Sequence, residues 1–249
     1  MIFDIGVTRK DPEHIYYNAQ GLALRSVSKT LALIQEPFDA KTVSRRIATS
    51  ELKKSGIYNR KQINALSSSI QTGWKDYGKE RADAGTDFHQ ACEDFIKTGK
   101  CDPQHKELVE KIYMIYFTEF YRSYAEVIVS DRETIAGTGD AFCLHSSKQQ
   151  DLIHIRDFKT NLKMPVNDVN PKASNKWFLS PFDHMLDNKY NYYAMQQSIY
   201  AYLLTLMGFR VASIALIWVH VESGEHRRID IPFMREEAKM LVQYAKTIH

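Results

Sequence analysis

The sequence contains few cysteines, no long apolar run and little net charge. Its 249 residues include three cysteines, whose scattered positions (Cys92, Cys101 and Cys143) predict neither a disulfide framework nor a zinc site. The best apolar run, from Ala212 to Val219, is far too short to cross a bilayer. The first ten residues lack a basic stretch followed by an apolar one, so no secretory signal is expected. We therefore expect a cytoplasmic protein with reduced thiols and no membrane partner.

The formal net charge is only +3, which by itself does not indicate a nucleic-acid-binding protein. The charge is concentrated, however, because residues 41–62 carry seven lysines and arginines against one glutamate. Such a cluster is typical either of a solvated helical face or of a surface that neutralises phosphates. The candidate DNA-binding residues from this cluster and from the later segment 161–189 are Arg45, Arg46, Lys53, Lys54, Lys172, Lys176 and Trp177.

Hydrophobic periodicity predicts an α/β chain with helices before and after a group of strands. The predicted elements are, in chain order, a β-hairpin (residues 15–24), three helices (30–36, 63–98 with a break near Gly85, and 105–125), three antiparallel strands (126–129, 134–144 and 152–159), a helix (190–207), two strands (212–221 and 227–231) and a closing helix (235–248). The irregular segment 161–189 is long enough to be functional or disordered.

Two of the predicted strands carry an unusual set of charges. The stretch from Gly137 to Thr160 reads GTGDAFCLHSSKQQDLIHIRDFKT, with Asp140 in its first apolar run and Asp157-Phe158-Lys159 at its end. Alternation along a strand places Asp157 and Lys159 on one face, roughly 7 Å apart. A hairpin register brings Asp140 beside them, and two neighbouring carboxylates repel each other unless a cation or a proton intervenes. The alternative is an exposed ion pair at a strand end.

Polar groups on two helices complete a candidate site. His89 lies at the edge of an apolar stripe, where a histidine is more often a core or boundary residue than a ligand. Gln196 and Tyr200 are four residues apart and share one face of their helix, and an ordinary polar pair at the helix surface is the alternative. Two carboxylates and an imidazole are suitable ligands for a divalent cation, with positions left for water and substrate.

These residues, in this order, resemble the motifs of the RecB-like branch of the PD-(D/E)XK nuclease superfamily. The motifs are His89 in GTDFH, Asp140 in GTGDAF, Asp157-Phe158-Lys159 in RDFKT and Gln196-x-x-x-Tyr200 in MQQSIYAYLL. The match covers roughly residues 85–205, about half of the chain. Each motif alone is weak, but the order of all of them is specific. The segment that enters the last motif is further similar to bacteriophage-encoded members.

The resemblance implies a restriction-endonuclease-like core over residues 85–249, in which a small mixed sheet with an antiparallel meander is flanked by helices. Residues 1–84 match no motif of the family, and the basic cluster within them indicates an N-terminal β-hairpin and helical decoration that binds DNA. The implied metal ligands are His89, Asp140, Asp157 and the backbone carbonyl of Phe158. The implied catalytic residues are Lys159, Asp157, Asp140, Gln196, Tyr200 and Glu126, of which Lys159 would be the catalytic lysine and Glu126 a supporting residue on the first core strand.

The implied activity is hydrolysis of DNA phosphodiesters by an exonuclease that depends on Mg²⁺ or Mn²⁺. It would serve recombination, repair or phage DNA metabolism in the cytoplasm of the cell or of the phage host. The substrate would be single-stranded DNA or DNA with free ends, on whose unpaired bases Trp177, Phe178 and the tyrosines of residues 190–193 would stack. Some relatives hold an iron–sulfur cluster on four cysteines, and three scattered cysteines predict none. A nuclease-derived binding module or inhibitor without activity and an RNA-cleaving enzyme are the alternatives.

Overall fold

Helices and strands form a mixed α/β structure. This computed structural model describes residues 3, 5–11, 13–57, 59–165 and 176–248. Among the described helices, none is both long enough and apolar enough to span a bilayer. The strands are β1 (Thr8–Lys10), β2 (Ile15–Tyr17), β3 (Ala23–Ser26), β4 (Arg122–Ser130), β5 (Ile135–Ser146), β6 (Gln149–Lys159), β7 (Arg210–His220) and β8 (Glu225–Ile231). The helices are α1 (Val27–Leu31, continued by a 3₁₀ turn at Ala32–Ile34), α2 (Ala40–Lys54), α3 (Arg60–Thr98), α4 (Lys106–Tyr116), α5 (Lys189–Leu206) and α6 (Arg235–Thr247).

The eight strands within the described residues form one mixed sheet. Its order is β1-β2-β3-β5-β6-β7-β8, and β4 pairs with β5. The pairs β3–β5 and β6–β7 are parallel, and the other pairs are antiparallel. The predicted meander of three antiparallel strands is confirmed as β4, β5 and β6. Strands β5, β6 and β7 are rich in apolar residues and mostly buried, as expected for strands that are covered on both faces.

Side chains of the central strands alternate between two hydrophobic cores. In β5, Phe142 and Leu144 belong to one core, which contains residues of α1, α5 and α6. Ala141 and Cys143, which alternate with them along the strand, belong to the other core. That core contains residues of α4 and of the C-terminal part of α3. Because successive side chains of a strand point to opposite faces, the two cores lie on opposite faces of the sheet. Helix α5 is therefore held against the same strands that carry the predicted site.

The chain divides into two units, and the division differs from the boundary expected at residue 84. One unit comprises Met1–Glu36 and Phe88–His249, and the other comprises Pro37–Asp87. The first segment belongs to the sheet-containing unit because β3 pairs with β5 and because α1 packs in the core that contains α5. The hairpin was visible in the sequence, but the strand that it would join was not.

The unit of residues 37–87 consists of α2 and most of α3. The side chain of Asp39 caps α2 by accepting a hydrogen bond from the backbone N–H of Thr42 at 2.9 Å, the usual arrangement at a helix start. Ser44 of α2 lies 2.8 Å from Ser67 of α3, oxygen to oxygen, and Ala48 is fully buried. The two helices thus share a small contact surface that is partly polar.

Two predicted helices have different limits in the structure. Helix α3 continues through Gly85 without the predicted break, because a helix interior tolerates glycine at a cost of only about 1 kcal/mol. The helix predicted over residues 105–125 ends at Tyr116, because the backbone of Phe117 (φ −126°) leaves the helical region. From Arg122 onward the chain pairs with β5, so this part of the predicted helix is a strand.

Candidate functional site

A polar cavity of about 410 Å³ lies in the sheet-containing unit. Its walls come from the β1–β2 hairpin, from the start of α1, from strands β4, β5 and β6 and from helix α5. Six of the lining residues are the catalytic residues that the resemblance implies: Glu126, Asp140, Asp157, Lys159, Gln196 and Tyr200. The fold therefore brings together side chains from three strands and a later helix that are distant in the chain.

The register of β5 and β6 puts two aspartates side by side. Ala141 pairs with Arg156, so Asp140 and Asp157 occupy the next position along the two strands, where this pairing ends. The Oδ2 atom of Asp140 accepts a hydrogen bond from the backbone N–H of Phe158 at 2.8 Å. This hydrogen bond links β5 and β6 beyond their last backbone pair. It also fixes the direction in which the Asp140 carboxylate points.

His89 lies beside Asp140. Its Nδ1 atom is 3.3 Å from the Oδ2 atom of Asp140, and its ring packs edge-on against that of Phe158, with centroids 6.0 Å apart. Burial alone would raise the pKa of Asp140, but the charges of His89 and Lys159 and the Phe158 N–H hold it below its usual value. Burial likewise lowers the pKa of His89, and the Asp140 carboxylate outweighs this and raises it. Each group therefore favours the charged form of the other.

Asp157 is almost fully buried and forms an ion pair with Lys159. Burial and the neighbouring charge of Asp140 raise the pKa of Asp157 to about 6. Burial lowers the pKa of Lys159, but the two carboxylates together raise it above its usual value, so this side chain stays an ammonium ion at neutral pH. The Lys159 Nζ atom also lies 4.7 Å from the ring centroid of Tyr193, a distance typical of a cation–π interaction.

Gln196 and Tyr200 of α5 both line the cavity, and Tyr200 is only 6% exposed. The Oε1 atom of Gln196 is buried and accepts no hydrogen bond from any residue that the structure describes. Buried polar atoms in proteins nearly always have a partner, so this oxygen is available to a water molecule or a ligand. Burial, with the nearby charge of Asp157, raises the pKa of Tyr200 well above its usual value. Its hydroxyl is therefore protonated and can donate a hydrogen bond.

Gly137 allows the ring of Tyr200 to lie directly against β5. A Cβ atom at this position would be 2.5 Å from the Cε1 atom of Tyr200 and 2.7 Å from the Cγ2 atom of Val27. Such short distances do not occur between packed carbon atoms, so the Tyr200 and Val27 side chains occupy the space that any other residue would need. The close approach of α5 and of α1 to the sheet thus depends on this glycine.

We expect the substitution Gly137→Ala to lower the free energy of unfolding by about 1–3 kcal/mol, because the added methyl group forces Tyr200 or Val27 out of place. A matched control is Gly78→Ala in α3, where a Cβ atom would meet nothing within 4 Å. Alanine at that position is expected to stabilise the helix by about 0.5–1 kcal/mol. Urea unfolding followed by circular dichroism measures both variants. Equal unfolding midpoints for Gly137→Ala and the unsubstituted protein would contradict the close packing.

An arginine of β1 completes the cavity, and no sequence motif indicated it. The Nη1 atom of Arg9 donates hydrogen bonds to Glu126 Oε2 at 2.7 Å and to Thr138 Oγ1 at 3.2 Å. The hydroxyl of Tyr16 lies 2.9 Å from the same oxygen of Thr138. Burial raises the pKa of Glu126, and Arg9 acts in the opposite direction. Arg9 and Glu126 are 117 residues apart, so no local pattern could have revealed the pair.

Glu126 also has an unusual backbone. Its φ angle is +53°, in the left-handed region that residues other than glycine seldom adopt. The neighbouring residues Ala125 and Val127 remain paired with Ala141 and Gly139 of β5, so the irregularity is confined to one residue of β4. Locally strained backbone of this kind is concentrated at functional sites, and here it coincides with a carboxylate that lines the cavity.

None of the predicted DNA-binding residues that the structure describes lines this cavity. Lys172 falls outside the described residues. Lys176 and Trp177 precede α5, and Trp177 is 49% exposed, whereas the adjacent Phe178 is 2% exposed and packs in the core, so it cannot stack on a base. The other four side chains are exposed on α2 in the unit of residues 37–87: Arg45, Arg46, Lys53 and Lys54. Contact of these residues with DNA stays a prediction.

The predicted metal ligands lie close together but are paired with other groups. His89 faces Asp140, and Asp157 faces Lys159. Over the described ranges, no three or more His, Cys, Asp or Glu side chains are already arranged to hold a metal ion. Carboxylate oxygens and an imidazole nitrogen are nevertheless donors that Mg²⁺ or Mn²⁺ accepts. Their role as ligands stays a prediction.

Comparison with known proteins identifies no family. The sequence matches no protein-family model, and it matches no curated protein. Among solved structures, the crystal structure of SSO0001 is similar to this chain at 13% sequence identity, over 91% of this chain and 76% of that chain, with a TM-score of 0.32. A similarity at this level carries no inference about fold or activity, so the function must be argued from the site.

Proposed function

We propose that the protein is a divalent-metal-dependent deoxyribonuclease with a restriction-endonuclease-like core, as its resemblance to RecB-like PD-(D/E)XK nucleases implies. The observation that carries the proposal is the cavity lined by Asp140, Asp157 and Lys159 together with Gln196 and Tyr200. An ordinary ion pair at a strand end would be exposed, but the side chains of Asp157 and Lys159 are 4% and 14% exposed. Burying a charged pair costs free energy unless further contacts compensate, and a catalytic role explains why the chain retains it.

Mg²⁺ or Mn²⁺ would be held by Asp140 and Asp157, with His89 and the backbone carbonyl of Phe158 as further ligands. The two adjacent carboxylates disfavour each other's ionisation, which contributes to the pKa of about 6 at Asp157, and a cation would remove this cost. When bound, the cation would lower the pKa of a water molecule and stabilise negative charge on a phosphate oxygen.

The chain's own residues have distinct roles in the proposed reaction. Lys159 stays protonated because two carboxylates raise its pKa, so it acts as a fixed positive charge for the phosphate oxygens as negative charge develops on them. The protonated hydroxyl of Tyr200 can donate a hydrogen bond to the substrate, and the free Oε1 atom of Gln196 can accept one from water. Glu126, which accepts a hydrogen bond from Arg9, adds a third carboxylate to the lining of the cavity.

The proposed substrate is DNA with free ends or single-stranded regions, cleaved as an exonuclease in recombination, repair or phage DNA metabolism. The competing hypothesis is a nuclease-derived module that binds nucleic acid or inhibits a partner without cleaving. Inactive relatives of such enzymes commonly lack the lysine or one ligand, whereas His89, Asp140, Asp157 and Lys159 are all present. Activity is therefore the better supported hypothesis.

The decisive experiment is a cleavage assay on end-labelled single-stranded and double-stranded DNA, with Mg²⁺, with Mn²⁺ and with a chelator. We expect cleavage with at least one metal and none with the chelator. A covalently closed circular substrate separates exonuclease from endonuclease activity, and an RNA strand of the same sequence tests the alternative substrate. Metal-independent cleavage, or none under any condition, would overturn the proposal. DNA binding without cleavage would favour the inactive module.

A further inference from the structure

The unit of residues 37–87 is more basic than the whole protein. It has ten lysines and arginines against six aspartates and glutamates, a net charge of +4, whereas the whole chain carries +3. Seven of these cations are clustered between residues 41 and 61: Lys41, Arg45, Arg46, Lys53, Lys54, Arg60 and Lys61. All seven are exposed. Lys41 interacts electrostatically with Asp39, and the other six form no ion pair with any residue that the structure describes. Unpaired positive charge at this density favours a polyanionic partner.

The same unit exposes three aromatic rings. Phe38, Trp74 and Tyr77 are 65%, 37% and 52% exposed. The rings of Phe38 and Trp74 lie 5.8 Å apart, centroid to centroid, and are tilted by 56°, so the two aromatic groups are neighbours on the surface. Tyr77 follows Trp74 by three residues on α3 and therefore lies on the same side of the helix. The guanidinium of Arg81, one turn further, is 5.7 Å from the centroid of the Tyr77 ring.

We propose that these rings form a platform on which unpaired bases of single-stranded DNA stack, while the cations of α2 neutralise the phosphates. Proteins that bind single strands without sequence preference combine a positive surface with aromatic faces, because every base has a face that can stack. The proposal deepens the proposed function, since it narrows the substrate to DNA with unpaired bases and assigns its binding to the unit of residues 37–87.

Three other partners fit the surface less well. An acidic peptide would use the cations but would leave three large rings in water. A hydrophobic peptide would cover the rings but would leave the unpaired cations without a partner. Duplex DNA would satisfy the cations through its phosphates, but its bases are stacked on one another and present only their edges in the grooves. A single strand uses both features at once.

The experiment is a fluorescence titration of the full-length protein with oligo(dT) in the presence of a chelator, so that no cleavage occurs. The chain has three tryptophans, of which Trp74 and Trp177 are exposed and Trp218 is 5% exposed. We expect oligo(dT) to quench the fluorescence of Trp74. The quenching should disappear in Trp74→Leu and persist in Tyr244→Leu, the matched control, which removes a ring of α6 that is 39% exposed.

Affinity gives a second readout. Stacking of one base on an aromatic ring contributes about 1–3 kcal/mol, so Trp74→Leu should weaken oligo(dT) binding between about 5-fold and about 150-fold. Trp74→Phe, which keeps an aromatic face, should weaken binding much less. Replacing Lys53 and Lys54 by glutamine should reduce the salt dependence of binding without abolishing the quenching. The slope of log affinity against log salt concentration should fall by about 0.7 for each phosphate that is no longer neutralised.

Several outcomes would overturn this proposal. They are unchanged quenching in Trp74→Leu, equally weakened binding in Trp74→Leu and Trp74→Phe, tighter binding of a blunt duplex, and equally tight binding of polyglutamate, which has no bases. Because binding is measured without metal, the result is independent of the nuclease proposal. Stacking without cleavage would leave the platform intact and overturn the enzyme proposal. Cleavage without stacking would support the enzyme proposal and overturn the platform.

Discussion

A Lys159→Met variant is expected to cleave DNA between about 10²-fold and about 10³-fold more slowly than the unsubstituted protein. Methionine keeps the length and apolar stem of the side chain but removes the ammonium group. That group is the one buried cation among the six predicted catalytic side chains that line the cavity. Without it, Asp157 loses its ion-pair partner, and the phosphate loses its neutralising partner. End-labelled DNA cleavage under single-turnover conditions measures the reduction in rate.

The matched control for this variant is Lys163→Met, which removes an exposed lysine four residues further along the chain. We expect this control to cleave DNA at the rate of the unsubstituted protein. Equal activity of Lys159→Met and Lys163→Met would show that the assigned lysine is not catalytic. Binding of oligo(dT) with a chelator should be the same for both variants, because the proposed platform belongs to the unit of residues 37–87.

The second large effect is expected on stability, because Lys159 and Asp157 form a buried ion pair. Removing one partner leaves the other charge buried without compensation, which costs about 3–5 kcal/mol. Replacing both partners by neutral groups of similar volume is often neutral or stabilising. We therefore expect Lys159→Met and Asp157→Asn each to lower the free energy of unfolding. The double variant Asp157→Asn/Lys159→Met should regain most of that stability while remaining inactive.

The pH dependence of the Lys159→Met variant has a defined sign. The pKa of Asp157 is already raised from its ordinary 3.8 to about 6, by burial and by Asp140, although Lys159 lowers it. Without Lys159 the pKa rises further. As the pH falls from about 8 toward about 5, the folded variant then binds a proton that the unfolded chain does not yet bind, so its stability increases. The Asp157→Asn/Lys159→Met double variant lacks the Asp157 carboxyl group, so its stability should not rise in the same way as the pH falls.

Four proteins are compared: the unsubstituted protein, Lys159→Met, Asp157→Asn and the double variant. Their urea unfolding at about pH 8 and about pH 5, without metal, tests both the Asp157–Lys159 ion pair and the pH dependence of stability. Additive destabilisation in the double variant would mean that Asp157 and Lys159 do not depend on each other, which would contradict the buried pair. The same proteins separate a catalytic defect from a folding defect. If the double variant is as stable as the unsubstituted protein and still inactive, its inactivity cannot be attributed to unfolding.

Local patterns in the sequence were sufficient for the elements that form the site. The alternation in the Gly137–Thr160 stretch predicts the β5–β6 hairpin, and the structure confirms it. The spacing of Gln196 and Tyr200 predicts one helical face, and both residues line the cavity. These predictions succeeded because a hairpin and a helix are held by contacts between residues that are near in the chain, which periodicity reports directly.

Other features depend on contacts between distant parts of the chain. Periodicity does not show that β3 joins β5, so the boundary expected at residue 84 differs from the division in the structure, where the N-terminal 36 residues belong to the sheet-containing unit. It also does not show Arg9 beside Glu126 or the positive φ angle of Glu126. The burial of Phe178 and the exposure of Phe38, Trp74 and Tyr77 were equally invisible, because aromatic residues occur both in cores and on binding surfaces.

The chain alone reveals which chemical groups are present and in what order: a histidine, two aspartates, a lysine and a glutamine–tyrosine pair on a predicted helix, hairpin and helix. Folding adds that the lysine and one aspartate are buried as a pair, that Arg9 holds Glu126, and that Gly137 lets Tyr200 reach the strands. These features escape local patterns because burial and electrostatic environment arise from packing among elements far apart in the chain. Those two quantities set the pKa values and the free energies on which the proposed chemistry depends.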